Sequence, residues 1–209
     1  MSREGEIPMK RNICIRPARH EDAATIARVV AMAISDEATL RNYCGEEYLD
    51  VLGEIARHEN TQYGWPNALI AEVDGVVAGA VIGYDGAKLA LLRKGTLGIV
   101  SSMVGRIPAI EDETQAGEYY LDSIGVFPNF RAMGVGRALI EALCEKAFTE
   151  GHDRVGLIVD CDNTNAGNLM SRGSDDVEIC VAHHQNVFHI SGLLQQIPDY
   201  VCFVNATTV

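Results

Sequence analysis

Long uninterrupted apolar runs are missing from this 209-residue chain: no stretch of eighteen or more residues has the character of a bilayer-spanning helix. The opening MSREGEIPMKRN lacks the apolar core of a secretory signal, so the expected compartment is the cytoplasm and no membrane partner is expected. Positive charge is in short supply. With 17 Lys and Arg against 29 Asp and Glu the net charge is −12, which argues against a nucleic-acid partner and mildly favours cationic or amine-bearing small molecules. Paired cysteine spacing is also absent. Cys14, Cys44, Cys144, Cys161, Cys180 and Cys202 stand singly, mostly among Val, Ile and Leu, and read as small buried hydrophobes kept reduced. Neither do His183, His184 and His189 have a carboxylate or cysteine at ligand spacing, and adjacent histidines on a strand point to opposite faces, so no metal site is expected.

What remains is a chain with 47% hydrophobic and 22% charged residues, the composition of a soluble globular protein, read as one domain over residues 1–209. NICIRPAR (12–19) alternates into a strand, and Glu21 and Asp22 stand where a helix N-terminus welcomes negative charge before a helix through AATIARVVAMAIS. A second helix is expected in EEYLDVLGEIARHEN (46–60), with Tyr48, Leu49, Leu52, Ile55 and Ala56 at helical spacing. NALIAEVDGVVAGAVIGYDG reads as a hairpin turning at Asp74-Gly75. Between Ala87 and Gly117 the pattern is mixed: AKLALLRKG supports a helical turn or two, and IPAIEDETQAG a polar loop. Tyr43, Tyr48, Tyr63 and Trp65 read as core packing ahead of pocket lining. EYYLDSIGVF (118–127) is the next strand. After Gly136 a helix carries Leu139, Ile140, Leu143, Ala147 and Phe148 on one face and stops at Gly151. DRVGLIVDCDN (153–163) is a nearly continuous apolar strand, as expected where both faces are covered, and VEICVA and DYVCFVNA suit further strands. The order predicts an α/β fold, a mixed sheet with helices packed against it.

The segment SIGVFPNFRAMGVGRALIEAL (123–143) carries the functional signal. A strand that feeds directly into a helix leaves the first N–H groups of that helix without intrahelical partners, and Gly134 and Gly136 remove side chains that would hold a ligand away from them. Arg131 and Arg137 bracket the turn with full charges, which suits a phosphate or pyrophosphate. A P-loop would end in Gly-Lys-Ser/Thr, whereas this chain has Gly136-Arg137-Ala138; a Rossmann turn would place glycine where Leu139 stands. The remaining form, Arg-x-x-Gly-x-Gly after a strand ending in Val-x-Pro, resembles the pyrophosphate loop of the GCN5-related N-acetyltransferases (GNAT). IVDCDNTNAGNLM is similar to that family's next strand and helix start, with Asn163, Ala166 and Leu169 on its Asn-x-x-Ala-x-x-Leu pattern, so the resemblance covers about residues 12 to 170.

The resemblance implies the acyl-CoA N-acyltransferase (GNAT) fold, a mixed central sheet whose fourth and fifth strands splay apart. It implies acetyl-CoA as co-substrate and acetyl transfer to a primary amine of a small molecule or peptide. By position, the backbone of Ile124 and Val126 would bond the pantetheine arm. The N–H groups of Met133, Gly134, Val135, Gly136 and Arg137 would hold the pyrophosphate beside Arg131, and Asn163 would touch the cofactor further along. The Val126 N–H would steady the developing oxyanion. Glu118 and Asp122, which alternate onto one face of the strand with Tyr120, are the candidate bases. Two features depart from the family pattern. Met170 replaces the tyrosine expected as proton donor, which should slow transfer without abolishing it because a thiol of pKa about 8.5 leaves well as the anion. Residues 171–209 form an atypical C-terminal segment, a divergent ending or a shifted reading frame near residue 170. The competing readings are a non-catalytic acyl-CoA-binding module and a protein that associates, for example as a homodimer, through an edge strand supplied by that tail.

Overall fold

The structure, a computed structural model, describes residues 12–158, 178–183 and 186–190. Strands β1 (Ile13–Pro17), β2 (Ala68–Val73), β3 (Val76–Asp85), β4 (Tyr119–Val126), β5 (Arg154–Ile158), β6 (Glu178–His183) and β7 (Asn186–Ile190) form one sheet in sequence order. β1 to β4 pair antiparallel, β5 lies parallel to both β4 and β6, and β7 returns antiparallel to β6. The β2–β3 turn places Asp74 at φ 50 and Gly75 at φ 81. Two consecutive left-handed residues match the right-handed twist of the flanking strands, which is why Asp-Gly signals a hairpin.

Among the described residues five α-helices cover the sheet: α1 (Ala23–Ile34), α2 (Glu37–Cys44), α3 (Tyr48–Arg57), α4 (Leu89–Val104) and α5 (Val135–Thr149). On one face α5 buries Leu139, Ile140, Leu143 and Ala147 against Leu121, Ile124 and Val126 of β4. On the other, α1 and α3 bury Ile26, Val29, Leu52 and Ile55 against Ile70, Ala80 and Ile82. Each such Leu, Ile or Val side chain, removed from water, stabilises the fold by about 1.5–3 kcal/mol. Tyr43, Tyr48, Tyr63 and Trp65 pack against this second core, as expected of them. Leu89 and Leu92 of α4 close a smaller cluster with Tyr84 and Tyr120. Arg16 fastens β1 to the start of α1 by two bonds to Asp22, at 2.8 and 3.0 Å, and reaches Glu72 of β2 at 2.7 Å. That pairing holds the Asp22 carboxyl below its usual range.

Three expectations need correction. No helix was expected between residues 36 and 45, where α2 stands, and α3 occupies Tyr48–Arg57 of the helix expected at 46–60. α2 is short and polar, held by the Asp36 carboxylate accepting from Thr39 N–H at 2.8 Å and by burial of Leu40 and Cys44. Where a turn or two of helix was expected, α4 runs sixteen residues, through Gly95 and Gly98. Gly95 is required by packing, since a Cβ there would lie 2.0 Å from the Asn60 carbonyl oxygen. The third concerns cysteine. Cys44 and Cys144 are buried, their thiols pushed up by desolvation to about 11 and about 12, but Cys14 is exposed on β1.

β6 overlaps the strand expected at VEICVA, shifted by one residue, whereas DYVCFVNA lies outside the described residues, as does β5's expected extension to residue 163. Among the described residues no helix is long and apolar enough to cross a membrane, and no group of His, Cys, Asp and Glu is placed to hold a metal.

Candidate active site

β4 is paired along its length on one side and only at its start on the other. Toward β3 the register runs from Tyr119 opposite Asp85 to Val126 opposite Gly79. Toward β5 the pairs are Tyr119 with Val155 and Tyr120 with Gly156, and from Leu121 onward no described strand pairs with that edge. At about 3.3 Å per residue, Leu121 to Val126 leave roughly 20 Å of β4 without a partner strand among the described residues. The bond from Phe127 N–H to Ala78 O, 2.8 Å, sets the phase of the β3 ladder. Because antiparallel partners alternate between bonded and non-bonded pairs, Ser123 and Gly125 spend their N–H groups on β3. Ile124 and Val126 therefore turn theirs toward the gap.

Beyond Val126 the chain makes a short turn at Pro128–Phe130, then passes through Ala132 at φ 60 and Gly134 at φ 83 before α5 begins. Those two left-handed residues swing the helix start toward the end of β4. Within α5, Ala138 N–H bonds to Gly134 O at 3.0 Å, and the N–H groups of Val135, Gly136 and Arg137, one turn earlier, have no acceptor inside the helix. Gly134 is glycine because of its φ. Gly136 has a different reason: a Cβ there would meet nothing nearer than Val126 Cγ2 at 3.7 Å, an ordinary contact, so internal packing does not demand glycine and the space is left clear. Arg131 Nε donates to Val126 O at 3.3 Å, pinning the loop to the strand. Arg137 Nε donates to Glu141 Oε1 at 2.8 Å, which draws its guanidinium along α5 while its N–H stays at the helix start. Arg28 of α1 stacks 4.4 Å from the centroid of the Phe127 ring.

The opposite face of β4 is polar. The β3–β4 register slips between Ile82 and Gly83, where Ser123 and Leu121 are the partners, leaving Asp122 as the extra residue of a bulge. Asp122 is 5% exposed and accepts from Tyr84 Oη at 2.8 Å and Ser123 Oγ at 3.0 Å; Gln62 Nε2 donates in turn to Tyr84 Oη at 3.2 Å. Burial pushes the Asp122 carboxyl up to about 6, and the two hydroxyl donors pull it back. Glu113, from the loop between α4 and β4, accepts from Tyr120 Oη at 3.3 Å. Desolvation first and the Asp122 charge second push Glu113 up to about 7. Two hydroxyls stabilise the Asp122 anion, so of the two carboxyls Glu113 is the one that takes up a proton near neutrality. Arg93 of α4, 8% exposed, pairs with Asp112 through Nη1 and draws both carboxyls downward by its charge.

Glu118 shares this face with Tyr120 and Asp122, as the alternation predicts. Val155 and Leu157 pack toward α5, so Gly156 faces the other way, and a Cβ there would lie 2.5 Å from Glu118 Oε2. Glu118 Oε1 accepts from Thr114 Oγ1 at 2.7 Å and Gln115 N–H at 3.3 Å, tying the preceding loop to the sheet. Asn163 and Met170 lie outside the described residues. Glu113 and Arg93 were not singled out by sequence: one sits in an acidic run Glu111-Asp112-Glu113, the other in a helix with little pattern. A groove of about 740 Å³ between α3 and α4, lined by His58, Leu91, Lys94 and Met103, shares none of these residues.

The sequence pattern of the Acetyltransferase (GNAT) family matches residues 35–173. Among solved structures, one described as an acetyltransferase is 32% identical with a TM-score of 0.65, over 79% of this chain and 91% of that chain. An N-acetyltransferase from Staphylococcus aureus Mu50 is 25% identical with a TM-score of 0.52, over 64% of this chain and 75% of that chain. No curated protein matches by sequence.

Proposed function

Because the chain belongs to the Acetyltransferase (GNAT) family, we propose that it binds acetyl-CoA in the gap between β4 and β5 and transfers the acetyl group to a primary amine of a small molecule or peptide. The observation that carries this reading is the continuity of two backbone surfaces: the open edge of β4, with Ile124 and Val126 turned outward, runs into the cleared helix start at Val135, Gly136 and Arg137. An extended pantetheine arm suits the first surface as an added strand would, and a pyrophosphate suits the second. Met133 and Gly134 complete the turn around the pyrophosphate, and Arg131 keeps that turn in place. Asn163 is proposed to touch the cofactor further along. The single sheet from β1 to β7 supports reading residues 1–209 as one domain.

Acetyl-CoA supplies the activated thioester; the chain supplies position and proton handling. Val126 N–H, facing the gap, would donate to the carbonyl oxygen as negative charge grows there. The acceptor amine arrives as an ammonium ion and must lose a proton before its lone pair can attack. Glu113 is suited to take that proton because its carboxyl is pushed up to about 7, close to the pH at which it must work. Asp122 beside it acts as the fixed negative charge that raises Glu113 and draws the ammonium in. Glu118 serves the loop instead, with one oxygen already taken by Thr114 and Gln115. As the C–N bond forms, the C–S bond breaks and CoA leaves as thiolate, while the second nitrogen proton departs to solvent. Calorimetric titration with CoA, followed by thiol release from acetyl-CoA across an amine panel, tests the proposal. No CoA binding overturns it, and binding without turnover on any amine marks a non-catalytic acyl-CoA-binding module.

A further inference from the structure

Arg93 brings more hydrogen-bonding capacity into the polar cluster than the cluster uses. A guanidinium carries five N–H donors, and the bond to Asp112 engages Nη1 alone; Nε and Nη2 are buried with no partner among the described residues. Buried charged donors are normally paired, because leaving them unmade forfeits the solvation they lost. The obvious partners are committed elsewhere. Glu113 bonds to Tyr120, and Asp122 to Tyr84 and Ser123, and neither makes an ion pair with Arg93. Yet the Arg93 charge reaches Glu113, Asp122 and the hydroxyl of Tyr63, favouring the charged form of each. Nε and Nη2 lie on one edge of the guanidinium plane, the fork that grips a carboxylate with two parallel bonds.

We infer that Arg93 is a specificity residue whose Nε–Nη2 edge binds a carboxylate of the acceptor, so that the substrate is an amine that also carries a carboxylate, with its amine directed to Glu113 and Asp122. This rests on the acetyl-transfer reading and deepens it. The charges then alternate, guanidinium, substrate carboxylate, substrate ammonium and protein carboxylates, and each group that is partnerless or repelled in the free protein gains an opposite. Asp112, whose side chain is 82% exposed, already sets one carboxylate oxygen against Nη1 of this guanidinium from the surface loop, leaving the Nε–Nη2 edge to a second carboxylate. The loop, residues 105–118, has no secondary structure of its own up to β4, and Asp112 and Glu113 tie it over the cluster. Its displacement opens the buried edge, as long structureless segments at functional sites commonly allow.

The test uses the full chain, saturating acetyl-CoA and matched pairs of acceptors: α- and ω-amino acids, each beside the amine that lacks its carboxylate. The wild type is expected to favour the carboxylate-bearing member by about 10²-fold in kcat/KM, chiefly through KM. Arg93→Gln should erase that ratio, and Arg93→Lys, which keeps the charge without the fork, should erase most of it, while the Kd for CoA is unchanged by calorimetry. A wild-type enzyme that acetylates both members equally, or a preference that survives in both variants, overturns the inference and leaves acetyl transfer standing. Failure to bind CoA, or binding without turnover on any amine, overturns both.

Discussion

Residues 127–134, after β4, and residues 105–118, before it, flank the same strand and build opposite kinds of site. The first works with main chain: Ala132 and Gly134 turn the backbone through the left-handed region, Gly136 keeps a space clear, and the donors are N–H groups. The second works with side chains. Glu113 and Asp112 reach back onto Tyr120 and Arg93, and their neighbours Gln62, Tyr84 and Asp122 come from three other parts of the chain. A backbone surface suits a cofactor that never changes, since it is insensitive to most side chains around it. A side-chain enclosure suits an acceptor that differs from one relative to the next.

The comparison makes predictions in which each side fails alone. Glu113→Gln should lower kcat/KM for an amine by about 10²–10⁴-fold at neutral pH and leave the CoA Kd unchanged; unimpaired turnover would remove Glu113 from the proton path. Gly136→Val should do the reverse, weakening CoA by about 10²-fold in calorimetry with little change in Tm, because a Cβ at 3.7 Å from Val126 is tolerated by the fold. Tight CoA binding by that variant would place the pyrophosphate elsewhere.

Smaller effects concern stability. The Glu113 carboxyl is raised in the folded state, so its contribution is fully present below the unfolded carboxyl value of about 4.3 and is lost as pH rises through about 7. Denaturant unfolding at pH 4.5 and at pH 7.5 should differ by on the order of 2 kcal/mol more in the wild type than in Glu113→Gln, with the wild type losing stability at the higher pH. Equal slopes would show that Glu113 is not desolvated. Least of all, Ala132→Gly should gain up to about 1 kcal/mol by relieving the left-handed φ of 60, read as a higher Tm.

The same contrast decides what was legible in the sequence. The pyrophosphate loop is written in consecutive residues, because a backbone site needs only glycines and a strand–helix junction at fixed spacing. Hairpin, strand and helix periods around it could be read for the same local reason. α4 escaped because Gly95 answers to the Asn60 carbonyl, a neighbour 35 residues back along the chain, and Gly98, Thr96 and Ser101 dilute the pattern further. Arg93 and Glu113 acquire meaning only when α4, the loop and β4 converge. Nothing in GluAspGlu at 111–113 distinguishes the third carboxylate from the first two, and only burial does so. The bulge at Asp122 is likewise invisible in order, yet it places Asp122 and Ser123 side by side.

The half-open edge of β4 also divides one strand into two interleaved populations of amides. Ser123, Gly125 and Phe127 are locked to β3, while Ile124 and Val126, between them, are not. In deuterated solvent the free protein should therefore exchange along this strand in alternation, fast and slow at successive residues, inside a segment whose side chains are all buried. A ligand lying in the gap would slow the fast members alone, so β4 carries a built-in internal reference against which occupancy is read one amide at a time.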